Sequence, residues 1–432
     1  MKRLLFDIQS YPSFRSANSY CDQNIIDHLI QDGKYEVHVF AAQYNRQSKE
    51  EIIDGVFVHR WRRGFFWRKY TETLSNPRKA YSVIVSALYR FLLRCKQFLT
   101  IPVFPFVEPF TIRRSYRSLE SLFNRIHFDC VISEHHGLET LYSGYLLKKK
   151  HPEIVFLPIF WDSLSGGFRQ KYLPKSFIDR RKKRLEKKIL ECCDYAIMME
   201  SSKNHIIELW GQTTLYRKIH LLQVPYFSLV CNNDQTSVPK DHNGPIWIVF
   251  AGNLWERDPS FFFKLVSLLS VDEQRKIRIS FFTKKEFHPR ILEIAKDVQS
   301  VVECNDYIPH EKLKKVLSQA DVLLNFGVKN PNAISGKVFE YIGYKSKIIS
   351  TYSIDGEAAT IPLKEYPNAF LIDERRTDTE IVAEELSDFL FRVPVQIISD
   401  VVLRQKYYAS MPEAYVDLID KIMVEDKRRN GQ

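Results

Sequence analysis

The chain is 432 residues long, 45 % hydrophobic and 27 % charged, a soluble globular composition with material for two or three domains. No run of 18 residues lacks a charge, which excludes a transmembrane helix. MKRLLFDIQSYP, broken by Asp7 and without a small-residue cleavage site, reads as a first strand and not a signal peptide. The net charge of +11 is concentrated: residues 60–120 hold 13 Lys/Arg against 3 Asp/Glu, and residues 180–191 hold 7 against 2. Seven cysteines, an odd number without a C-x-x-C pair, argue against a metal site or a disulfide framework and for a reducing cytosol.

RLLFDI predicts a strand, SANSYCDQNIIDHLIQDG a helix ending at Gly33, and YEVHVFAA and VFVHRW two more strands. The next stretch sets Trp61, Phe65, Phe66 and Trp67 among Arg60, Arg62, Arg63, Arg68 and Lys69. It runs on into SVIVSALYRFLLRCKQFL, an apolar helix carrying Arg90, Arg94 and Lys96. Arginines with indole and phenyl rings beside an apolar helix fit a monotopic contact with an anionic membrane surface, with Arg62, Arg63, Trp67 and Arg68 as the contacting residues. Nucleic acid is the rival partner for such charge, but no nucleic-acid motif is present and the long apolar runs suit lipid better.

DCVISEHH predicts a strand, LETLYSGYLLKKKHP a helix, IVFLPIFWD a strand, residues 180–191 a polar helix, DYAIMME a strand and SSKNHIIELWG a helix. NNDQTSVPKDHNGP (232–245) is polar and rich in turn formers, a linker. The alternation restarts with IWIVFAGNL and continues through IRISFFT, VVECNDY, DVLLNFGV, KIISTY and FLIDE, with helical periods between. Repeated strand–helix–strand order predicts an α/β protein of two Rossmann-like parallel-sheet domains facing a cleft, helices on both faces of each sheet. The expected division is a first domain over 1–231, the linker over 232–245, a second domain over 246–412, and a final helix over 413–432 packing back on the first.

DVLLNFGV is a continuous apolar run, as a buried central strand requires. The helix after it opens at Ser335–Gly336, with Val338, Phe339 and Ile342 on the sheet side and Lys337, Glu340, Tyr341 and Tyr344 on the other. Ser335 can cap it, Gly336 lets a ligand approach, and the free N–H groups with Lys337 make a phosphate cradle. Glu340, one turn on, can accept from a ribose diol. The alternative is a plain i,i+3 ion pair between Lys337 and Glu340 on a solvated face.

ISGKVFEYIGYKSKII resembles the nucleotide-sugar-binding motif of GT-B glycosyltransferases, family four and its relatives. FAGNLWERDPSFFFKLV resembles the opening of that family's donor domain. LEKKILECCDYAIMMESSKNHIIELWG and FDCVISEHHGLETLYSGYLLKKK resemble elements of its first domain. The resemblance implies Gly252 and Asn253 beside the donor phosphates, Arg257 where the family has a diphosphate-binding lysine, and Ser335 and Lys337 at the diphosphate. Glu340 falls at the ribose and His135 at a family histidine position. It also implies a UDP- or GDP-sugar donor, a saccharide or polyprenyl-linked acceptor, retention of configuration, no cofactor or metal, and work at the inner membrane face in surface polysaccharide assembly.

Four positions depart from the family pattern. Asn332 replaces the first of two glutamates, Asn253 a basic residue, Ser16-Ala17-Asn18 a glycine pair, and Trp161-Asp162 a His-Asp pair. Asp162, at a strand end, suits an acceptor hydroxyl or a turn cap. His135 and His136 suit contact with the acceptor hydroxyl or the donor sugar, or a capping or core role, and His135 and Asp162 are the candidate catalytic residues. An inactive paralogue serving as accessory subunit to a partner transferase is the second reading.

Overall fold

The computed structural model describes residues 1–12, 17–44, 47–65, 67–69, 80–106, 108–135, 137–166, 173–229 and 244–430. It divides into two compact units, one of Met1–Pro225 with Pro412–Gln432 and one of Tyr226–Met411. Residues 232–243 of the expected linker lie outside the described residues.

The first unit is built on eight described strands. These are β1 (Lys2–Asp7), β2 (Tyr35–Ala42), β3 (Glu50–Ile53), β4 (Val56–Trp61), β5 (Cys130–Glu134), β6 (Val155–Phe160), β7 (Ala196–Met199) and β8 (Ile219–Leu222), in the order β3-β4-β2-β1-β5-β6-β7-β8. β3 is antiparallel to β4; the other neighbours are parallel. Every residue of β5 and β6 is buried, because helices on both faces leave no side for polar residues. Strand order turns at β1 and β5, where doubly wound sheets open toward ligands.

The helix Pro109–Arg125 was not anticipated from the sequence; it buries Ile112, Leu119, Leu122 and Phe123 and turns its arginines outward. The last helix, Pro412–Asn430, packs on the helix Ala17–Asp32 of this same unit. It buries Tyr415, Ile419, Ile422 and Met423. Tyr415 donates to Gln223 O at 2.7 Å, and Lys2 Nζ to Met423 O at 2.9 Å.

The second unit has six described strands, β9 (Ile246–Ala251), β10 (Ile277–Phe282), β11 (Val302–Asn305), β12 (Val322–Phe326), β13 (Lys347–Tyr352) and β14 (Ala369–Asp373). Their order is β11-β10-β9-β12-β13-β14, all parallel. Phe250, Phe262, Phe281 and Phe326 fill the core between this sheet and the helices Ser260–Leu268 and Thr379–Phe391. The segment Tyr226–Leu229 already belongs to this unit, and Phe227 N donates to Ser410 O at 3.0 Å. No helix among the described residues is long and apolar enough to cross a membrane.

Candidate functional site

β9 and β12 are neighbours, and the chain leaves β9 through Gly252 with φ at +145°. A side chain there would be strained, and its Cβ would run into Lys337 Nζ. Lys337, the first residue of the helix Lys337–Gly343, reaches back so that its ammonium donates to Ala251 O. Burial, and then the nearby Arg257, pull its pKa down to about 8. Arg257 spans the same two strand ends. Its Nε donates to Phe326 O at 3.0 Å and its Nη1 to Asn253 O at 3.1 Å. Asn253 Oδ1 accepts from Trp255 N at 3.0 Å and so holds the loop in a tight turn. Among the described residues neither Lys337 nor Arg257 has a salt-bridge partner. Two cations at adjacent strand ends, held by carbonyls, are preorganised for an anion.

Glu340, one turn into the helix, meets His310 Nε2 at 3.3 Å and the Tyr344 hydroxyl at 3.5 Å, both through Oε1. Its carboxylate is thereby oriented from one side. The i,i+3 pair between Lys337 and Glu340 does not form: Lys337 turns to the backbone of β9.

The expected cap on this helix is corrected. Gly336 is the capping residue, in right-handed conformation and without a side-chain cap bond. The carbonyl of Ser335 takes the Val338 N–H at 3.1 Å, because the helix begins one residue too late for the Ser335 hydroxyl. Gly336 is required for space within the protein: a Cβ there would lie 2.6 Å from the Tyr226 ring. Val338, Phe339 and Ile342 are buried as expected, but Tyr341, assigned to the open face, is fully buried too. Asn332 is half-buried in the loop before Ser335, its N–H donating to Asn330 Oδ1 at 3.0 Å.

Glu357 was missed. It is buried and accepts from Val328 N at 3.4 Å and Ala359 N at 3.0 Å, fastening the loop after β12 to the helix Thr360–Lys364. Burial pushes its carboxyl up to about 7. A carboxylate just past a strand was the available signal, and a weak one.

In the first unit His135 and Asp162 do meet, through the backbone. His135 Nδ1 lies 2.9 Å from the carbonyl of Asp162, whereas residue 162 is exposed. Burial lowers the His135 pKa. His136 lies outside the described residues. The neighbouring Glu134 is buried and accepts from Gln9 N at 2.7 Å and Trp161 Nε1 at 3.2 Å. Thus Trp161, a departure from the family pattern, serves a carboxylate the sequence reading passed over. Asp7, buried at the end of β1, has its pKa held well above the carboxylate range by burial and then by Glu134.

The basic, aromatic tract turns partly inward, which corrects the assignment of Arg63 to a membrane surface. Arg63 is buried, ion-paired with Glu139, and its guanidinium sits 4.6 Å from the Trp67 ring centroid and 5.7 Å from that of Trp61. A carboxylate and two indole faces replace the water it gives up. Trp67 packs edge-on against Tyr44 at 5.0 Å. Arg68 is half-buried, its N–H donating to Gly64 O at 3.1 Å, and Arg62 is exposed.

No family model matches the sequence, and no curated protein matches it significantly. Solved structures do match, over nearly the whole chain. The N-terminal domain of a trehalose-6-phosphate phosphatase from Candida albicans aligns at a TM-score of 0.60 and 14 % identity, over 99 % of this chain and 97 % of that one. HepE of Anabaena in complex with UDP aligns at 0.58 and 8 %, over 98 % and 100 %. The lipopolysaccharide outer core galactosyltransferase WaaB in its apo form aligns at 0.57 and 11 %, over 98 % and 99 %. At these identities the likeness establishes the fold, which is the GT-B architecture of two parallel-sheet domains.

Proposed function

We propose that the protein is a glycosyltransferase. It moves a sugar from a UDP- or GDP-sugar to a saccharide or lipid-linked acceptor in cell-surface polysaccharide assembly, at the inner face of the cell membrane. One observation carries the reading: Lys337 and Arg257, two cations without salt-bridge partners among the described residues, bond the backbone at Ala251, Asn253 and Phe326, where β9 and β12 end. When a glycosidic bond to a nucleoside diphosphate breaks, negative charge grows on the leaving phosphate, and fixed cations stabilise it. These two supply the charge, so the reading calls for no metal. Glu340, tied through Oε1, offers Oε2 to the ribose hydroxyls. Asn332 is assigned to the donor sugar, and the sequence resemblance favours retention of configuration. His135 and Asp162 are assigned to the acceptor side. HepE, one of the matching folds, is described in complex with UDP, which supports the nucleotide assignment.

The test is turnover of nucleotide sugars with extracted lipid acceptors. Lys337→Ala is expected to lower kcat by about 10²–10³-fold, the usual cost of removing one charge-stabilising donor. Glu340→Ala is expected to raise the donor KM. Activity that survives both substitutions removes the site assignment. Asn332, uncharged in place of the family's first glutamate, gives the accessory-subunit reading its footing. Nucleotide binding without turnover of any donor, together with tight binding to another transferase, would decide for that reading.

A further inference from the structure

The helix Ala80–Leu99 inverts the usual arrangement of a surface helix. Ile84, Leu88, Phe91 and Leu99 are 68, 52, 62 and 81 % exposed. At 3.6 residues per turn these four fall within roughly 80° of arc, a single stripe along one side. Leu92 continues the stripe, while Val85 just past it and Leu93 on the far side are half-buried. Arg94, exposed, lies about 60° beyond one edge of the stripe, and Arg90, also exposed, about 100° beyond it. Lys96 follows the other and bonds Glu108 at 2.8 Å. From Val83 to Phe106 the chain has no Asp or Glu.

We propose that this helix lies in the surface of an anionic lipid bilayer, its apolar stripe among the acyl chains and Arg94 at the level of the lipid phosphates. The inference deepens the membrane placement proposed for the transferase, yet its readout needs neither donor nor turnover. Charge complementarity chooses the occupant. The stripe is bordered by cations, and the helix offers no carboxylate, so the matching surface is apolar inside a negatively charged rim. A bilayer with acidic headgroups has that form. A second copy of the chain would bring Arg90 and Arg94 against an equally carboxylate-free helix. The long arginine stems let the charges stay at the headgroups while the stripe sinks below them. The helix rests in the plane of the surface, being too charged to span it.

Flotation of the full chain with phosphatidylglycerol/phosphatidylcholine vesicles tests this, against phosphatidylcholine alone. The wild type is expected to float with the anionic vesicles. Ile84→Glu with Phe91→Glu is expected to abolish flotation with far-UV circular dichroism unchanged. Arg94→Gln is expected to weaken anionic-vesicle binding by about fivefold, and Arg90→Gln, set further from the stripe, by less. A Phe91→Trp variant decides the matter independently should the glutamate pair misfold: its emission is expected to shift to the blue on anionic vesicles. Three results overturn the proposal: no flotation of the wild type, an unshifted Trp emission, or lipid-free self-association in sedimentation velocity that the arginine substitutions leave intact and Ile84→Glu abolishes.

Discussion

Lys337 joins two strand ends and titrates near neutrality. In the folded chain its ammonium loses the proton from about pH 8, whereas the unfolded lysine holds it to 10.5. The unfolded state therefore binds more protons across that window, and the contribution of this group to stability rises with pH there. The nucleotide binding proposed for this site runs the other way. A diphosphate favours the ammonium, so affinity is full below pH 8 and falls above it by up to about tenfold per pH unit. Calorimetric titration with UDP between about pH 7 and pH 9.5 is expected to show that decline. Lys337→Met should bind more weakly and without the slope. A wild-type affinity level through the window would detach Lys337 from the nucleotide. At this scale some residues were legible and others were not. Lys337, Arg257 and Glu340 stand in motifs a few residues long. Arg63 read as a surface cation because its partner, Glu139, lies 76 residues away in sequence. Asp7 read as a break in an apolar run because nothing local announces its burial beside Glu134.

The helix Lys337–Gly343 is seated by two glycines against the segment Tyr226–Leu229. At Gly336 an added Cβ meets a ring that can move; at Gly343 it meets the carbonyl of Ser228, which cannot move without the backbone. Gly336→Ala and Gly343→Ala are each expected to destabilise the second unit, by ~1–3 kcal/mol for the overpacking. In a double-mutant cycle Tyr226→Ala should relieve the first cost and leave the second untouched. Equal relief of both, measured by urea unfolding, would mean the seat is not the one described. The long apolar strands of both sheets could be read from composition, since strands buried on both faces need no alternation. β3 and β8, four residues each with polar or half-exposed side chains, carry too few residues for a pattern. The helix Pro109–Arg125 hid in a stretch whose arginines drew attention away from its buried face.

The second unit is one uninterrupted segment, Tyr226–Met411, while the first is assembled from both ends of the chain. Residues 226–411 expressed alone are therefore expected to unfold cooperatively and to bind UDP. Residues 1–225 alone lack the helix that buries Tyr415 and Met423, and are expected to aggregate unless Pro412–Asn430 is supplied as a peptide. Soluble, cooperatively folded 1–225 would show that helix to be dispensable. The helix also sets an order of events during synthesis. Domains ordinarily fold as they emerge, the amino-terminal one first. Here the earlier-made half must wait, open along the flank of Ala17–Asp32, until Pro412–Asn430 has been made, by which time the intervening unit is complete.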